Sequence, residues 1–316
     1  MKALITGANG FVGSHLVNHL AASTDYELIG TTTQPTAGAM DALRWWQIDL
    51  RDADRVQTML SEIQPDLIYH LAAQAFVPAA FKDPWNTLEN NIKSQLNIFQ
   101  TLVTLELDCK VLVASSAHVY GKIRPEENPV NEQQPFRPDN AYSVSKVVQD
   151  MLAFQYYLSH GLHIVRARAF NHIGPGQDTR FALPNFATQI AAAEIGTANP
   201  VIQVGNLQAE RDFTDVRYVV GAYHLLLSHG RAGEAYNVCS GEAHSMQELL
   251  EAMCILSPVH LRIEVDTHRL RPLDIRRVVG DNSKLRQDTG WEPMIDIHQS
   301  LVDILDHSRK AGITPA

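Results

Sequence analysis

The chain has 316 residues, of which 45% are apolar and 19% charged, a composition typical of a folded protein with a substantial core. Its 26 basic and 35 acidic side chains leave a net charge of −9, which excludes general attraction to nucleic acid or to an anionic membrane. No apolar run has transmembrane length, and the three widely spaced cysteines form no metal-ligand pattern. We therefore expect a cytoplasmic protein without a metal, whose phosphate-bearing ligands need local arginines or helix N-termini.

The first predicted strand leads into a glycine-rich turn. Residues 3–6 form a short apolar run typical of a buried strand, and a helical pattern follows from residue 14. Between them, Gly7, Gly10 and Gly13 have G-x-x-G-x-x-G spacing. Glycines let the backbone approach a diphosphate, and the N–H groups of a helix start face the anion. This position in the chain predicts a dinucleotide-binding turn.

Strands and helices then alternate. Apolar runs predict strands at residues 27–32, 45–49, 66–71, 111–114 and 164–168, with helices at 52–63 and 85–105 and another beginning at 141. This alternation predicts a parallel sheet covered by helices on both faces. Ligands of such sheets bind at the carboxyl ends of the strands, where the glycine turn and four other segments fall.

The end of the second strand bears on cofactor choice. NAD enzymes place an acid there to hold the ribose 2′-hydroxyl, whereas NADP enzymes use arginine and small hydroxyls. Here Thr31, Thr32 and Thr33 precede Gln34, with neither an acid nor an arginine. The stretch favours NADP(H) and tolerates NAD(H).

A tyrosine and a lysine stand four residues apart at the start of the helix that begins at residue 141. Asp139 or Asn140 can cap this helix, and Tyr142 and Lys146 then project from one face. A neighbouring ammonium favours phenolate and so lowers the pKa of the phenol. A serine hydroxyl at the end of the preceding strand could share an oxygen ligand with the phenol, although a surface pair has the same spacing.

Together these motifs resemble the extended short-chain dehydrogenase/reductase family of nucleotide-sugar enzymes. The resemblance rests on the glycine turn, His70-Leu71-Ala72-Ala73, Ser115-Ser116 with Tyr120-Gly121, and Tyr142-x-x-x-Lys146. It implies a Rossmann-type doubly wound parallel sheet formed by residues 1–168 plus about 213–238. A smaller, interleaved substrate domain would comprise residues 169–212 and 239–316. The family also implies a homodimer formed through the helices at 85–105 and 141–158.

Three stretches of the second half, residues 169–177, 204–216 and 270–272, resemble members that act on GDP-6-deoxyhexoses. They imply an NAD(P)-dependent oxidoreductase that reduces the C4 ketone of GDP-4-keto-6-deoxymannose. In that reaction Tyr142 would donate a proton to the C4 oxygen, and Lys146 would bind the nicotinamide ribose and lower the tyrosine pKa. Ser116 would hydrogen-bond the same oxygen, with Ser115 as the alternative.

The resemblance also implies two sets of binding residues. The cofactor would contact Gly7, Asn9, Gly10, Phe11, Val12, Gly13, Thr31, Thr32, Asp49, Leu50, Leu71, Ala72, Ala73, Ser115, Tyr142 and Lys146. The substrate would contact Ser116, His118, Tyr142, Asn171, Arg180, Arg211, Arg271 and Asp274. Arg211 and Arg271 would clamp the diphosphate, which suits guanidinium geometry. Asp212 and Asp215 are expected to cap the helix at 216–227.

One difference from related 4,6-dehydratases indicates which reaction the chain catalyses. Those enzymes carry a glutamate two residues before Tyr-Gly, and some add an aspartate before it, whereas Ala117 and His118 stand here. Alanine cannot transfer protons, although His118 could, since histidine titrates near neutral pH. The pattern favours ketone reduction over dehydration. A nucleotide-sugar 4-epimerase, a talose-forming reductase and a non-catalytic cofactor-binding sensor remain alternatives.

Overall fold

The structure is a computed structural model and describes residues 1–34, 43–269 and 276–312. Its strands are β1 (Lys2–Thr6), β2 (Glu27–Thr32), β3 (Arg44–Gln47), β4 (Leu67–His70), β5 (Lys110–Ser116), β6 (His163–Ala169), β7 (Asn171–Ile173), β8 (Val201–Val204), β9 (Glu210–Asp215), β10 (Ala235–Val238), β11 (Ala243–Ser245), β12 (Arg262–Val265) and β13 (Arg277–Val278). Its helices are α1 (Phe11–Ser23), α2 (Ala53–Ile63), α3 (Val77–Lys82), α4 (Pro84–Thr104), α5 (Ala141–His160), α6 (Ala182–Glu194), α7 (Val216–His229), α8 (Met246–Ile255), α9 (Ser283–Thr289) and α10 (Ile297–Ala311).

A seven-stranded parallel sheet organises the first half of the chain. Its strand order is β10-β6-β5-β4-β1-β2-β3, so the chain crosses from one side of β1 to the other between β3 and β4. In the register of the sheet, Thr6 at the end of β1 lies between Thr31 of β2 and His70 of β4. The predicted doubly wound sheet is confirmed. Its switch point beside β1 is where such sheets bind ligands.

Local sequence signals account for the helix starts. Asp52 accepts from the backbone N–H of Arg55 at the start of α2, and Asp83 caps α4 in the same way. Asn140, rather than Asp139, caps α5, because its side chain accepts from the N–H of Ser143 at 2.9 Å. An N-cap of this kind satisfies one of the amides that a helix start leaves unpaired.

Two apolar cores cover the two faces of the large sheet. Helices α1 and α7 supply Leu16 and Val219 on one face, and α2 and α4 supply Met59 and Phe99 on the other. Because each face buries a continuous apolar layer, the strands between them consist largely of apolar residues. Within the described residues, no helix has the length and apolar character needed to cross a membrane.

The second half builds a smaller unit. In it, β11, β9 and β13 form a sheet with β7 paired to β9, β12 pairs with β8, and α6, α8 and α10 enclose a third core. Leu285 and Trp291, which the expected division places with the substrate domain, pack in the core against α1 and α7. The exact division of the chain therefore stays a prediction.

Candidate active site

The turn after β1 is a cradle of backbone atoms. Gly7 has φ +69°, which favours glycine, and its N–H faces the Thr31 hydroxyl at 3.3 Å. The N–H of Gly10 donates to the Gly7 carbonyl at 2.9 Å, immediately before α1 begins. A β-carbon at Gly13 would overlap that same carbonyl oxygen, and one at Gly7 would lie 3.1 Å from Cα of Ala72. Positions 7 and 13 therefore require glycine, and the turn brings the start of α1 beside the segment that follows β4.

Thr6 ties the glycine turn to that segment. Its hydroxyl oxygen accepts from the N–H groups of Leu71 and Ala72, both at 3.1 Å, so its own proton points to Nδ1 of His70 at 3.0 Å. Burial lowers the pKa of His70 to about 3, and the ring therefore stays neutral. Sequence reasoning missed Thr6. Its signal was a hydroxyl at the end of an apolar strand, directly before the glycine turn.

The expected cofactor residues at the far side of the rim have internal partners. The Thr32 hydroxyl accepts from the N–H of Gln34 at 3.1 Å. The Asp49 carboxylate forms an ion pair with Arg51 at 2.7 Å, which lowers the pKa of Asp49. Their backbones remain at the carboxyl ends of β2 and β3, where the sequence places them.

Ser116, not Ser115, adjoins the candidate proton donor. The Ser116 hydroxyl accepts from the backbone N–H of His118 at 3.2 Å, and it acts on the pKa of the Tyr142 phenol, which is 8% exposed. Burial raises the pKa of Tyr142, while Ser116 opposes that shift. The Ser115 hydroxyl instead donates to the Asp150 carboxylate at 2.8 Å. The Ser115 side chain is thus held inside the protein. The structure places Ser116 nearer to Tyr142, and the choice between the two serines as the catalytic hydroxyl stays a prediction.

Lys146 lies beside the tyrosine without contacting the phenol oxygen. Its ammonium donates to the Ala114 carbonyl at 2.8 Å and lies 6.0 Å from the ring centroid of Tyr142. Burial lowers the pKa of Lys146 to about 8. The expected lowering of the tyrosine pKa by Lys146 stays a prediction. Burial sets the direction of that pKa, and Ser116 is the group that opposes it.

Of the candidate substrate residues described here, His118 follows β5, and the others lie in the second half of the chain. His118 is exposed, with its ring edge-on to Tyr142 at 5.6 Å between centroids. On β7, the Asn171 amide donates to the Asp212 carbonyl at 3.4 Å, and Arg211 on β9 donates to the Glu210 carbonyl at 2.9 Å. Arg271 and Asp274 lie outside the described residues.

Arg180 is paired with a neighbouring carboxylate, and its expected role in substrate binding stays a prediction. Its guanidinium forms a bidentate pair with Asp178, with contacts of 2.6 to 2.9 Å, and stacks 4.6 Å above the ring of Phe76. Phe76 also packs edge-on against Phe181 at 5.8 Å. A diphosphate would therefore have to compete with Asp178 for this guanidinium.

The two expected helix-capping aspartates have different roles. Asp215 caps α7 by accepting from the N–H of Arg217 at 2.9 Å. The Asp212 carboxylate is buried and accepts from the backbone N–H groups of Ser240, Gly241 and Gly280 at 2.8 to 3.1 Å. The capping expectation for Asp212 is wrong because these loops, distant in sequence, supply its donors. Asp212 therefore fastens β9, which carries Arg211, to the rest of the smaller unit.

The arrangement is suited to proton transfer to an oxygen. A phenol that burial keeps protonated, a serine hydroxyl next to it and a buried ammonium stand at the carboxyl end of β5, beside a backbone cradle. Two neighbouring hydroxyl groups that can both donate to one oxygen would stabilise negative charge that develops on that oxygen.

Known proteins are similar in sequence to this chain along nearly its whole length. Residues 4–304 match the protein family described as GDP-mannose 4,6 dehydratase. The chain is 38% identical over 305 residues to GDP-6-deoxy-D-mannose reductase of Pseudomonas aeruginosa, covering 96% of both proteins. It is 30% identical over 286 residues to GDP-6-deoxy-D-talose 4-dehydrogenase of Aggregatibacter actinomycetemcomitans, covering 90% of both.

Solved structures share the fold. RMD from Pseudomonas aeruginosa, complexed with NADPH, superposes with a TM-score of 0.88 at 38% identity, covering 98% of this chain and 99% of that one. UDP-glucose 4-epimerase of Thermus thermophilus, in complex with NAD, has a TM-score of 0.87 at 28% identity, covering 98% of this chain and 100% of that one.

Proposed function

The chain belongs to the GDP-mannose 4,6-dehydratase family of extended short-chain dehydrogenases/reductases, and from this premise we propose that it is a GDP-4-keto-6-deoxy-D-mannose reductase. It reduces the C4 ketone to give GDP-6-deoxy-D-mannose, also called GDP-D-rhamnose, with NADPH favoured and NADH accepted. The observation that carries the proposal is the group of three buried side chains at the end of β5, Ser116, Tyr142 and Lys146, with the Lys146 ammonium held by the Ala114 carbonyl. The near full-length similarity to a GDP-6-deoxy-D-mannose reductase supports the substrate.

The glycine cradle fits a dinucleotide. Glycines at positions 7 and 13 let the turn pack closely on itself and on Ala72, and no side chain caps the start of α1. The N–H groups of that helix start can therefore receive a diphosphate. Thr31 and Thr32 lie where an acid would select NAD, and the RMD structure contains NADPH. When bound, the reduced nicotinamide supplies the hydride for the carbonyl carbon.

The proton that the reduction needs comes from a side chain of the protein. Tyr142 donates its phenolic proton to the C4 oxygen as negative charge develops there, and Ser116 holds the same oxygen by a hydrogen bond. Lys146 binds the nicotinamide ribose hydroxyls, since its ammonium is already fixed beside the phenol by the Ala114 carbonyl. Proton transfer by a positioned group contributes about 10²–10⁴-fold in rate.

The nucleotide sugar is held by the smaller unit. Asn171 and Arg211 lie on the neighbouring strands β7 and β9, and we assign them, with Arg271 and Asp274, to the sugar and the diphosphate nucleotide. His118 faces the sugar beside Tyr142. Arg180 joins this set only if the diphosphate displaces Asp178 from its guanidinium.

Dehydration is disfavoured by the same end of β5. Ala117 and His118 stand where related dehydratases carry acids, and the alanine side chain cannot remove or return a proton. The family therefore supplies the scaffold, and this chain keeps the groups that a ketone reduction needs.

To test the proposal, the enzyme is incubated with GDP-4-keto-6-deoxy-D-mannose and either NADPH or NADH. The loss of absorbance of the reduced cofactor is followed, and the product is identified. Oxidation of NADPH with formation of GDP-6-deoxy-D-mannose is expected, and GDP-mannose with NADP⁺ should give no keto product. Failure to oxidise either cofactor would refute the proposal. The similarity to a talose 4-dehydrogenase makes the talose epimer the second candidate product. Interconversion of a GDP-hexose without added cofactor would indicate an epimerase.

We further propose that the enzyme works as a homodimer through α4 and α5. The outer face of α5 exposes four apolar side chains, those of Val144, Met151, Phe154 and Leu158. Helix α4 packs beside α5, and Trp85 near its start is also exposed. An apolar face of this kind is typical of a protein–protein contact.

We also place the enzyme in the cytoplasm. Its three cysteines, Cys109, Cys239 and Cys254, are all unpaired, and two are buried. Free thiols of this kind are typical of a reducing compartment. Fractionation of the producing cell, with recovery in the cytoplasmic fraction, is the measurement that checks this assignment.

A further inference from the structure

A buried ion cluster stands one helical turn beyond Lys146. Asp150 on α5 is fully buried, and its carboxylate accepts four hydrogen bonds. Arg166 donates at 2.7 Å, Arg168 donates twice at 2.9 Å, and Ser115 donates at 2.8 Å. Each carboxylate oxygen therefore has two donors, which is the full complement that a buried carboxylate needs.

This cluster supplies one of three consecutive contacts between β5 and α5. The Ala114 carbonyl accepts from Lys146, Ser115 donates to Asp150, and Ser116 lies next to the Tyr142 phenol, whose pKa it lowers. The first and third contacts belong to the proposed catalytic groups. The middle contact lies between them on the strand, and so it restrains how the end of β5 meets the face of α5.

The segment after Ser116 is tied to the same cluster. Arg168 donates to the Tyr120 phenol at 3.1 Å, and that phenol donates to the Asn237 side chain on β10 at 2.6 Å. Tyr120 ends the short 3-10 turn that starts after Ser116. The strand end is thus held on both sides of Ser116.

We propose that Ser115 is a positioning residue for the reaction, acting through Asp150 to place the Ser116 hydroxyl against Tyr142. This inference rests on the proposed function. Ser115 contributes by geometry, because its hydroxyl is bonded to Asp150 and takes no part in proton transfer. A displacement of about 1 Å between reacting groups costs on the order of 10²-fold in rate, so one missing restraint has a measurable effect.

A double-mutant cycle between Ser115→Ala and Ser116→Ala tests the proposal. Ser115→Ala should lower kcat by about 10-fold, with the KM for NADPH changed less than about 2-fold. The double variant should match Ser116→Ala alone, because Ser115 acts through Ser116. Multiplicative losses in the double variant, or an unchanged kcat in Ser115→Ala, would overturn the proposal.

Two comparisons separate positioning from stability. Ser115→Thr keeps the hydroxyl and should recover most of kcat. Ser300→Ala is the matched control, since Ser300 is a buried serine on α10 that donates to the Asp215 carboxylate at 2.7 Å. It should lower the melting temperature as much as Ser115→Ala does while leaving kcat unchanged. Equal losses of kcat in both alanine variants would mean that Ser115 is merely structural.

A second readout requires no turnover. With ¹³C-labelled tyrosine, the Tyr142 signal is identified by comparison with Tyr142→Phe, and its pKa is followed by NMR. Because Ser116 opposes the raised pKa of Tyr142, Ser115→Ala should raise that pKa in the same direction as Ser116→Ala. A pKa equal to that of the unsubstituted protein refutes the positioning role. Absence of reductase activity in the unsubstituted enzyme refutes only the proposed function.

Discussion

The Lys146 ammonium lies 6.0 Å from the ring centroid of Tyr142 and donates its hydrogen bond to the Ala114 carbonyl rather than to the phenol. The cation is therefore fixed on the strand side of the phenol by main-chain geometry. Burial disfavours the charged form of the side chain and lowers its pKa to about 8. Keeping Lys146 charged therefore lowers the stability of the folded protein.

Lys146→Met should abolish reduction and stabilise the protein at pH 7. The folded state binds the lysine proton less tightly than the unfolded state, so the cost is complete below pH 8 and disappears as the pH rises towards 10.5. The lowered pKa corresponds to a loss of about 3 kcal/mol in the free energy of unfolding, which the substitution removes. The substitution also loses a hydrogen bond worth about 1 kcal/mol, so the net gain should be about 2 kcal/mol. Denaturant unfolding at pH 7 and pH 10 measures the gain. A gain that does not shrink at pH 10 would contradict this assignment.

Tyr142→Phe should lower kcat by about 10²–10⁴-fold and leave the dissociation constant for NADPH nearly unchanged, because only the proton donor is removed. Tyr156→Phe is the matched control, since Tyr156 lies on the same helix and is likewise 8% exposed. Stopped-flow turnover and fluorescence titration of NADPH provide the two measurements. Turnover in Tyr142→Phe equal to that of the control would remove Tyr142 from the mechanism.

Thr6→Val should weaken NADPH binding by about 10-fold or more and destabilise the fold by about 3 kcal/mol or more. Its hydroxyl satisfies the N–H groups of Leu71 and Ala72 and the ring nitrogen of His70, and buried groups left unpaired cost about 1–3 kcal/mol each. Thr6→Ser retains the hydroxyl and should restore both properties. If the serine variant binds NADPH as poorly as the valine variant, packing and not hydrogen bonding explains the effect.

Thr32→Asp should reduce the preference for NADPH over NADH by about 10-fold or more, because a carboxylate at the end of β2 repels a 2′-phosphate. The ratio of kcat/KM for the two cofactors measures this preference. Thr58→Asp, an exposed position on α2, adds the same charge away from the rim and should leave the ratio unchanged. An unchanged ratio in Thr32→Asp would place the 2′-phosphate elsewhere.

Leu158→Glu should convert the proposed dimer into a monomer, since Leu158 is 66% exposed on the apolar face of α5 and a charge there cannot be buried between two copies. Light scattering coupled to size exclusion gives the mass of each variant. Ile255→Glu, at an 82% exposed position on α8, is the control and should remain a dimer. A Leu158→Glu variant that keeps the mass of a dimer would exclude this face.

Local patterns in the sequence were sufficient for much of the molecule. Short apolar strands alternating with helical periods determined the parallel sheet, and the glycine spacing after β1 determined the turn, in which positions 7 and 13 require glycine. The four-residue interval placed Tyr142 and Lys146 on one helix face. These features are set by backbone conformation and by side-chain periodicity over a few residues, both of which a sequence displays directly.

Tertiary structure decided what each polar group at the rim contacts. Ser115 and Ser116 are adjacent and identical in type, yet one bonds Asp150 and the other lies next to Tyr142. Thr6 reaches partners at positions 70 to 72, and Asp212 binds amides at 240, 241 and 280. Such contacts depend on how strands and helices distant in the chain pack together. Burial also raises the pKa of Tyr142 and of Asp212. No spacing along the sequence could assign these contacts and shifts, because both arise from packing.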